Sequence, residues 1–270
     1  MISSGSNSQI KNIIQLQKKG KLRREQGVFV VEGEKMVKEA RNHHLVKAYA
    51  AESYYAELIK NEDLYLEGFE YEIVADSVFK QMADTMSPQG ILAIVKIPEY
   101  SLDEMLCKED TSLLLLEDLR DPGNLGTIIR TAEGAGMSGV ILSQESVDIF
   151  NPKVIRSTMG SIYRVPFVYV QNFKETMLRV KSQGVNLYAA HLHGRNRYDE
   201  EDYSKRQGIL IGNESNGLSE ETTKLADYLV KIPMEGQVES LNAAMAAGIL
   251  MYESARQRRL DRTRDAGRIN

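Results

Sequence analysis

Four consecutive leucines, Leu113 to Leu116, constrain this chain more than any other stretch. A strand that is apolar at every residue has no face to give to water. Both faces must be covered, which is the mark of a parallel sheet with helices on either side. Similar short apolar runs return at Val140 to Ser143, Val165 to Val170, Val185 to Ala190, Gly208 to Gly212 and Leu229 to Ile232. Between them the spacing turns helical: Leu125 to Ala135, a segment opened by Asn151-Pro152 (N-cap, then Pro at the first helical position), Phe173 to Gln183, and a last helix from Ser240 to Leu260. Strands alternating with helices predict an α/β fold: a C-terminal parallel-sheet domain with helices on both faces.

Before residue 98 the rhythm is less regular. Ser8 to Gly20 places Ile10, Ile13, Ile14 and Leu16 at helical spacing, and Glu34 to Asn42 predicts a second helix. Gly27 to Glu32, Val46 to Ala51, Tyr71 to Val74 and Ile91 to Ile97 read as strands. The expected organisation is a small α/β unit over 1–98, a linker over 99–110 and the parallel-sheet domain over 111–270.

The single cysteine, Cys107, excludes an internal disulfide framework and any multi-cysteine metal centre, and it fits a reducing cytosol. The N-terminus lacks the order of a secretory signal, and no apolar run approaches the ~20 residues of a membrane span. The expectation is a cytoplasmic protein without membrane or metal.

A net charge of −4 argues by itself against a nucleic-acid binder, but the distribution does not. Lys11, Lys18, Lys19, Lys21, Arg23 and Arg24 follow one another with no acidic residue among them. Arg256, Arg258, Arg259, Arg262, Arg264 and Arg268 crowd the C-terminus against only Asp261 and Asp265. Such runs either meet phosphates and release counterions, or form solvated helix faces.

Three loops follow strands, where open α/β sheets bind ligands. In Asp121-Pro-Gly-Asn-Leu-Gly-Thr-Ile-Ile-Arg130, Asn124 is placed to cap the next helix, and the planar fork of Arg130 suits a phosphate or a reacting hydroxyl. In Gly212-Asn-Glu-Ser-Asn-Gly-Leu218, a glycine ends a buried strand, so the backbone can approach a ligand closely. In Ile232-Pro-Met-Glu-Gly-Gln-Val-Glu-Ser-Leu-Asn242, Ser240 is expected to cap the last helix, with Leu241 and Asn242 in its first turn. The three-glycine dinucleotide fingerprint is missing, which counts against a nicotinamide oxidoreductase. His191-x-His193 lacks metal-ligand company, His43-His44 reads as a turn, and Tyr54-Tyr55 offers either core packing or base stacking.

Together the three loops closely resemble the motifs of the SpoU (TrmH) family of RNA ribose 2′-O-methyltransferases, in the SPOUT superfamily. The first motif is matched by Asn124, Gly126, Arg130, Ala132 and Gly136, the second by Gly212, Glu214, Gly217 and Leu218, and the third by Ile232 through Asn242 without a gap. More loosely, Asn12 to Arg24 and Phe29 to Glu34 resemble the ribosomal-protein-like RNA-binding domain of many members. The resemblance implies a deep trefoil knot, which residue patterns alone would never suggest, and a homodimer whose active site draws on both subunits. It implies S-adenosyl-L-methionine as cofactor, held by Gly212, Asn213, Gly217, Ile232, Met234, Gly236 and Leu241. It gives Arg130 the central catalytic role, supported by Asn124, Glu214, Ser240 and Asn242. RNA would meet Lys11, Lys18, Lys19, Lys21, Arg23 and Arg24. The expected substrate is ribosomal RNA, 23S in particular; a transfer-RNA methyltransferase and a catalytically inactive RNA-binding or assembly protein are the alternatives.

Overall fold

The computed structural model describes residues 1–266, the last three of them as backbone only; the Arg264 side chain and Arg268 lie outside the described residues. The chain forms two compact units, Met1–Glu99 with Asp148–Tyr163, and Tyr100–Val147 with the chain from Arg164 onward.

The first unit carries a four-stranded sheet of β1 (Val28–Glu32), β2 (Leu45–Ala51), β3 (Tyr71–Val74) and β4 (Ile91–Lys96), in the order β1-β4-β2-β3. β4 pairs antiparallel with β1 and β2, while β2 and β3 run parallel. The expected first helix is two, Ser8–Lys18 and Gly20–Gln26, parted at Lys19, whose backbone is extended. Ile10, Ile13 and Leu16 are fully buried on one stripe of the first helix and join a core with Tyr49, Val78, Phe79 and Met82. Burying each of the three aliphatic side chains stabilises the unit by roughly 1.5–3 kcal/mol. The helices Glu52–Lys60 and Asp76–Met82 were not expected from the sequence.

The segment 148–163, expected inside the second domain, packs with the first unit instead. The Phe150 ring lies 4.7 Å and the Tyr163 ring 6.3 Å from Phe29. Tyr163 Oη donates to the Met36 carbonyl at 3.1 Å, and Asp148 accepts an ion pair from Arg23 at 2.6 Å. The helix Pro152–Thr158 within this segment starts as expected, with Asn151 as N-cap and Pro152 in its first turn.

The second unit carries seven strands, β5 (Ser112–Leu116), β6 (Gly139–Ser143), β7 (Phe167–Val170), β8 (Asn186–Ala190), β9 (Asn196–Arg197), β10 (Gln207–Ile211) and β11 (Tyr228–Lys231). Their order is β7-β6-β5-β10-β8-β11-β9, and every pairing is parallel. Leu113 to Leu116 are fully buried, as a doubly covered strand requires. Because all strands run the same way, their carboxyl ends lie on one edge, and the loops after β5, β10 and β11 gather there.

Two caps differ from expectation. The helix Pro122–Gly134 begins two residues before Asn124, and its N-cap is Asp121, whose carboxylate accepts from Asn124 N at 2.7 Å. The last helix is Ala243–Ala266, and Asn242, not Ser240, closes its start: Asn242 Oδ1 accepts from Ala244 N at 2.9 Å and Met245 N at 3.3 Å. Both differences free the residue immediately before the helix to be the cap, as Asp and Asn prefer. This helix packs on Pro122–Gly134. Arg258, expected in a cationic run, is buried and donates to the carbonyls of Ala135 (3.0 Å) and Gly136 (3.3 Å), satisfying the other helix's C-terminal end. Arg256 pairs with Glu253 and Arg262 with Asp110. Among the described residues, no helix is long and apolar enough to cross a membrane.

Candidate active site

The three loops are tied by one string of side chains. Asn242 Nδ2 donates to Asn124 Oδ1 at 2.9 Å, and Asn124 Nδ2 donates to Glu214 Oε1 at 3.0 Å. Glu214 also accepts from the backbone N–H groups of Asp121 (2.9 Å, Oε1) and Arg120 (3.1 Å, Oε2). Each asparagine amide thus spends its nitrogen on the next loop, while the carboxylate collects three donors. Burial works against the charge of Glu214, but the donors from Asn124, Arg120 and Asp121 outweigh it and hold the carboxyl below its usual range.

The turn after β10 is closed on itself. Asn213 N donates to Gly217 O at 3.0 Å and Gly217 N to Asn213 O at 2.9 Å. Asn213 Oδ1 accepts from Ser215 N (2.9 Å) and Asn216 N (3.1 Å). Gly217 sits at φ +68, and a Cβ on Gly212 would lie 2.1 Å from the Gly217 carbonyl carbon, so both positions require glycine. Asn213 Nδ2 reaches the Asp118 carbonyl at 2.8 Å, tying this turn to the first loop.

The loop after β11 is of another kind. From Met234 to Leu241 the backbone N–H and C=O groups bond to nothing else among the described residues. Ile232, Met234 and Leu241 are half-buried around it, and the space beside Gly236 is open. A run of unspent backbone donors and acceptors with apolar side chains beside it fits a small ligand that has both hydrogen-bonding and apolar parts. Ser240 is exposed and outside the string.

Arg130 is exposed on the helix Pro122–Gly134, apart from the string, and its side chain makes no ion pair or hydrogen bond to a described residue. Six residues of helix place it on a different face from Asn124. Spacing alone missed Asp121 and the amide of Arg120, which complete the carboxylate's shell; the Asp-Pro start of a helix was the signal that could have found the first.

In the first unit, Lys11, Lys18, Lys19, Lys21 and Arg24 are exposed. Arg23 is not available to RNA: its side chain is 5% exposed, with Nη1 donating to Leu16 O and Gln17 O and Nη2 paired with Asp148. A basic run read from sequence cannot reveal an acidic partner that arrives from a distant segment. His43 stacks on Tyr163, with ring centres 4.9 Å apart. Tyr54 and Tyr55 direct their hydroxyls to Tyr65 and Tyr71. His191 and His193 follow β8, with His193 N donating to His191 Nδ1.

A parallel α/β sheet whose strand-end loops are laced together beside an open loop with unspent backbone groups defines a ligand-binding enzyme of the open α/β class, with its site at the carboxyl edge of the sheet. The SpoU rRNA Methylase family model matches residues 111–252, and an MRM3-like substrate binding domain model matches residues 7–93. The 23S rRNA (guanosine(2553)-2′-O)-methyltransferase RlmP of Bacillus subtilis is 34% identical over 257 residues, covering 93% of this chain and 97% of that protein. The crystal structure of an AdoMet-bound rRNA methyltransferase from Sinorhizobium meliloti superposes with a TM-score of 0.83 at 32% identity, covering 94% of this chain and 97% of that one. The SpoU methyltransferase AviRb from Streptomyces viridochromogenes in complex with AdoMet gives 0.83 at 29% identity, covering 93% and 98%. The chain belongs to the SpoU rRNA methylase family, and with it to the enzymes that transfer a methyl group from S-adenosyl-L-methionine to an RNA ribose 2′-hydroxyl.

Proposed function

We propose that this enzyme methylates one nucleotide of ribosomal RNA, in the large-subunit 23S molecule, in the cytoplasm. The observation that carries the reading is the string Asn242–Asn124–Glu214, which binds the three motif loops at one sheet edge. Ribosomal RNA is favoured over transfer RNA by the names of the relatives and by the substrate-binding unit that precedes the catalytic one. In this reading residues 1–98, with 148–163 packed among them, bind RNA, and the second unit carries the chemistry; the expected linker 99–110 belongs to that unit from Tyr100 on, since its helix Leu102–Leu106 buries Met105 and Leu106 in the unit's core.

Bound S-adenosyl-L-methionine supplies a methyl group made electrophilic by its sulfonium. The backbone of the turn Gly212, Asn213 and Gly217 and of the loop Ile232 to Leu241, with Met234 and Gly236, would hold it. Arg130 aligns the ribose hydroxyl or its neighbouring phosphate through a charge-assisted contact; its guanidinium resists deprotonation and is not the base. Most of the rate then comes from alignment of the two reactants. Asn124, Glu214 and Asn242 hold the loops, and Ser240, without a hydrogen-bond partner among the described residues, shapes the site beside them. Lys11, Lys18, Lys19, Lys21 and Arg24 meet phosphates.

The enzyme acts as a homodimer in this reading. Met245 and Tyr252, 59% and 50% exposed and seven residues apart on one stripe of the last helix, with half-buried Ile249 between them, support an apolar partner there. A trefoil knot is consistent with the interleaved strand order, in which β10 separates β5 from β8.

The test is transfer of radiolabelled methyl to unmodified 23S RNA by the pure protein, followed by mapping of ribose methylation in a deletion strain. One ribose methyl missing from 23S RNA in that strain is expected. Full methylation of 23S RNA with one lost from a transfer RNA would refute the ribosomal assignment.

A further inference from the structure

Glu117 lies one residue past β5 and has no part in the roles above. Its carboxylate accepts three hydrogen bonds, all from the residues that open the helix Glu220–Leu225: Ser219 N at 2.8 Å, Ser219 Oγ at 2.7 Å and Thr222 Oγ1 at 2.6 Å. Ser219 is the N-cap of that helix, and its hydroxyl also accepts from Thr222 N at 3.1 Å. The hydroxyl proton therefore goes to Glu117 while the lone pair serves the helix.

This fixes the far end of the turn 212–218. The near end is fixed by the same short stretch: Glu117 N donates to Ile211 O at 2.9 Å, and the Asp118 carbonyl takes Asn213 Nδ2 at 2.8 Å. Asp118 holds an unusual left-handed backbone, φ +53, supported by Ser143 Oγ, which accepts from its N–H at 2.9 Å. Residues 117 and 118 thus clamp both ends of a turn whose middle aims Glu214 at Asn124. A turn held at one end could tilt about it; held at both, it presents one backbone surface.

We propose that Glu117 is a positioning residue for methyl transfer. It sets the cofactor-facing turn by gripping Ser219 and Thr222, and it touches neither reactant. The inference rests on the assignment of the turn at Gly212 to S-adenosyl-L-methionine. Glutamine at 117 keeps the size but removes the charge, and its NH2 either faces Ser219 N or forces both hydroxyls to turn and accept from it, so the grip weakens without a cavity.

The full-length E117Q protein is to be compared with native by calorimetric titration with S-adenosyl-L-methionine, by filter binding of unmodified 23S RNA, and by thermal melting. Losing charge-assisted hydrogen bonds at a pre-set turn should weaken cofactor binding by about tenfold and raise its KM in step, with kcat less affected. RNA affinity should stay within about twofold, and E117D should recover part of the loss. A Ser219→Ala change should cost much less on the E117Q background than on the native one. Native cofactor affinity in E117Q overturns the proposal. A parallel fall of cofactor affinity, RNA affinity and melting temperature also overturns it, since that marks simple support of the fold. Gly212→Ala separates the two levels: if it binds S-adenosyl-L-methionine normally, the turn is not the cofactor site and both readings fall. If it loses the cofactor while E117Q does not, Glu117 alone is refuted.

Discussion

In the seven-stranded sheet every strand points the same way, so the loops 117–124, 212–219 and 232–242 share an edge. In the four-stranded sheet β4 runs against two neighbours, so its loops divide between both edges. The parallel unit concentrates polar groups into a site; the mixed unit spreads them over a surface. The two therefore commit their charges differently. Arg130, on the parallel unit, is unpaired among the described residues, while Arg23, on the mixed one, is consumed by Asp148 and two carbonyls. Adjacent lysines on the mixed unit remain in water.

The contrast can be broken at four places. The largest effect is expected from Arg130→Ala: methyl transfer should fall by about 10²–10³, as when one transition-state donor is removed, while the melting temperature stays put. Arg23→Ala should do the reverse. It strands Asp148, which is only 26% exposed, and should cost about 3 kcal/mol in urea unfolding, with the salt dependence of RNA binding unchanged. Glu214→Gln should lower activity by roughly tenfold, the scale of one charged hydrogen bond. It should also remove an acid-side stability change. Native Glu214 contributes fully above the ordinary glutamate pKa of about 4.3, and that contribution fades as pH falls through its lower folded value. Urea midpoints of native and variant should therefore converge as pH falls below the ordinary glutamate value of about 4.3. The smallest effect is expected from Lys18→Ala with Lys19→Ala: each lost phosphate contact should flatten the plot of log affinity against log salt by about 0.7–0.9, with native stability.

Much of this was readable in the residues. Leu113 to Leu116 admit one environment, and Asn151-Pro152 can hardly do other than open a helix. The three motif loops were recognisable because their glycines and amides serve local geometry, such as the closed turn at Gly212 and Gly217. What stayed hidden depends on distant partners. Arg23 looked like its neighbours until Asp148 arrived from a remote segment. Glu52–Lys60 fully buries only Leu58, and the half-buried Tyr54 and Tyr55 beside it had either core packing or base stacking open to them in the sequence. Ser240 and Asn242 are both good caps, and the choice of Asn242 follows from its bond to Asn124, across a separation no local pattern spans.

The excursion of the chain at Asp148–Tyr163 has a practical outcome. Phe150 and Tyr163 find their cover in Phe29, and Asp148 its counter-charge in Arg23. Scissors placed at residue 99 would leave those aromatic rings and that carboxylate orphaned on the remaining fragment. The substrate-binding module is no detachable cassette, and swapping it between relatives demands grafting two stretches of chain at once.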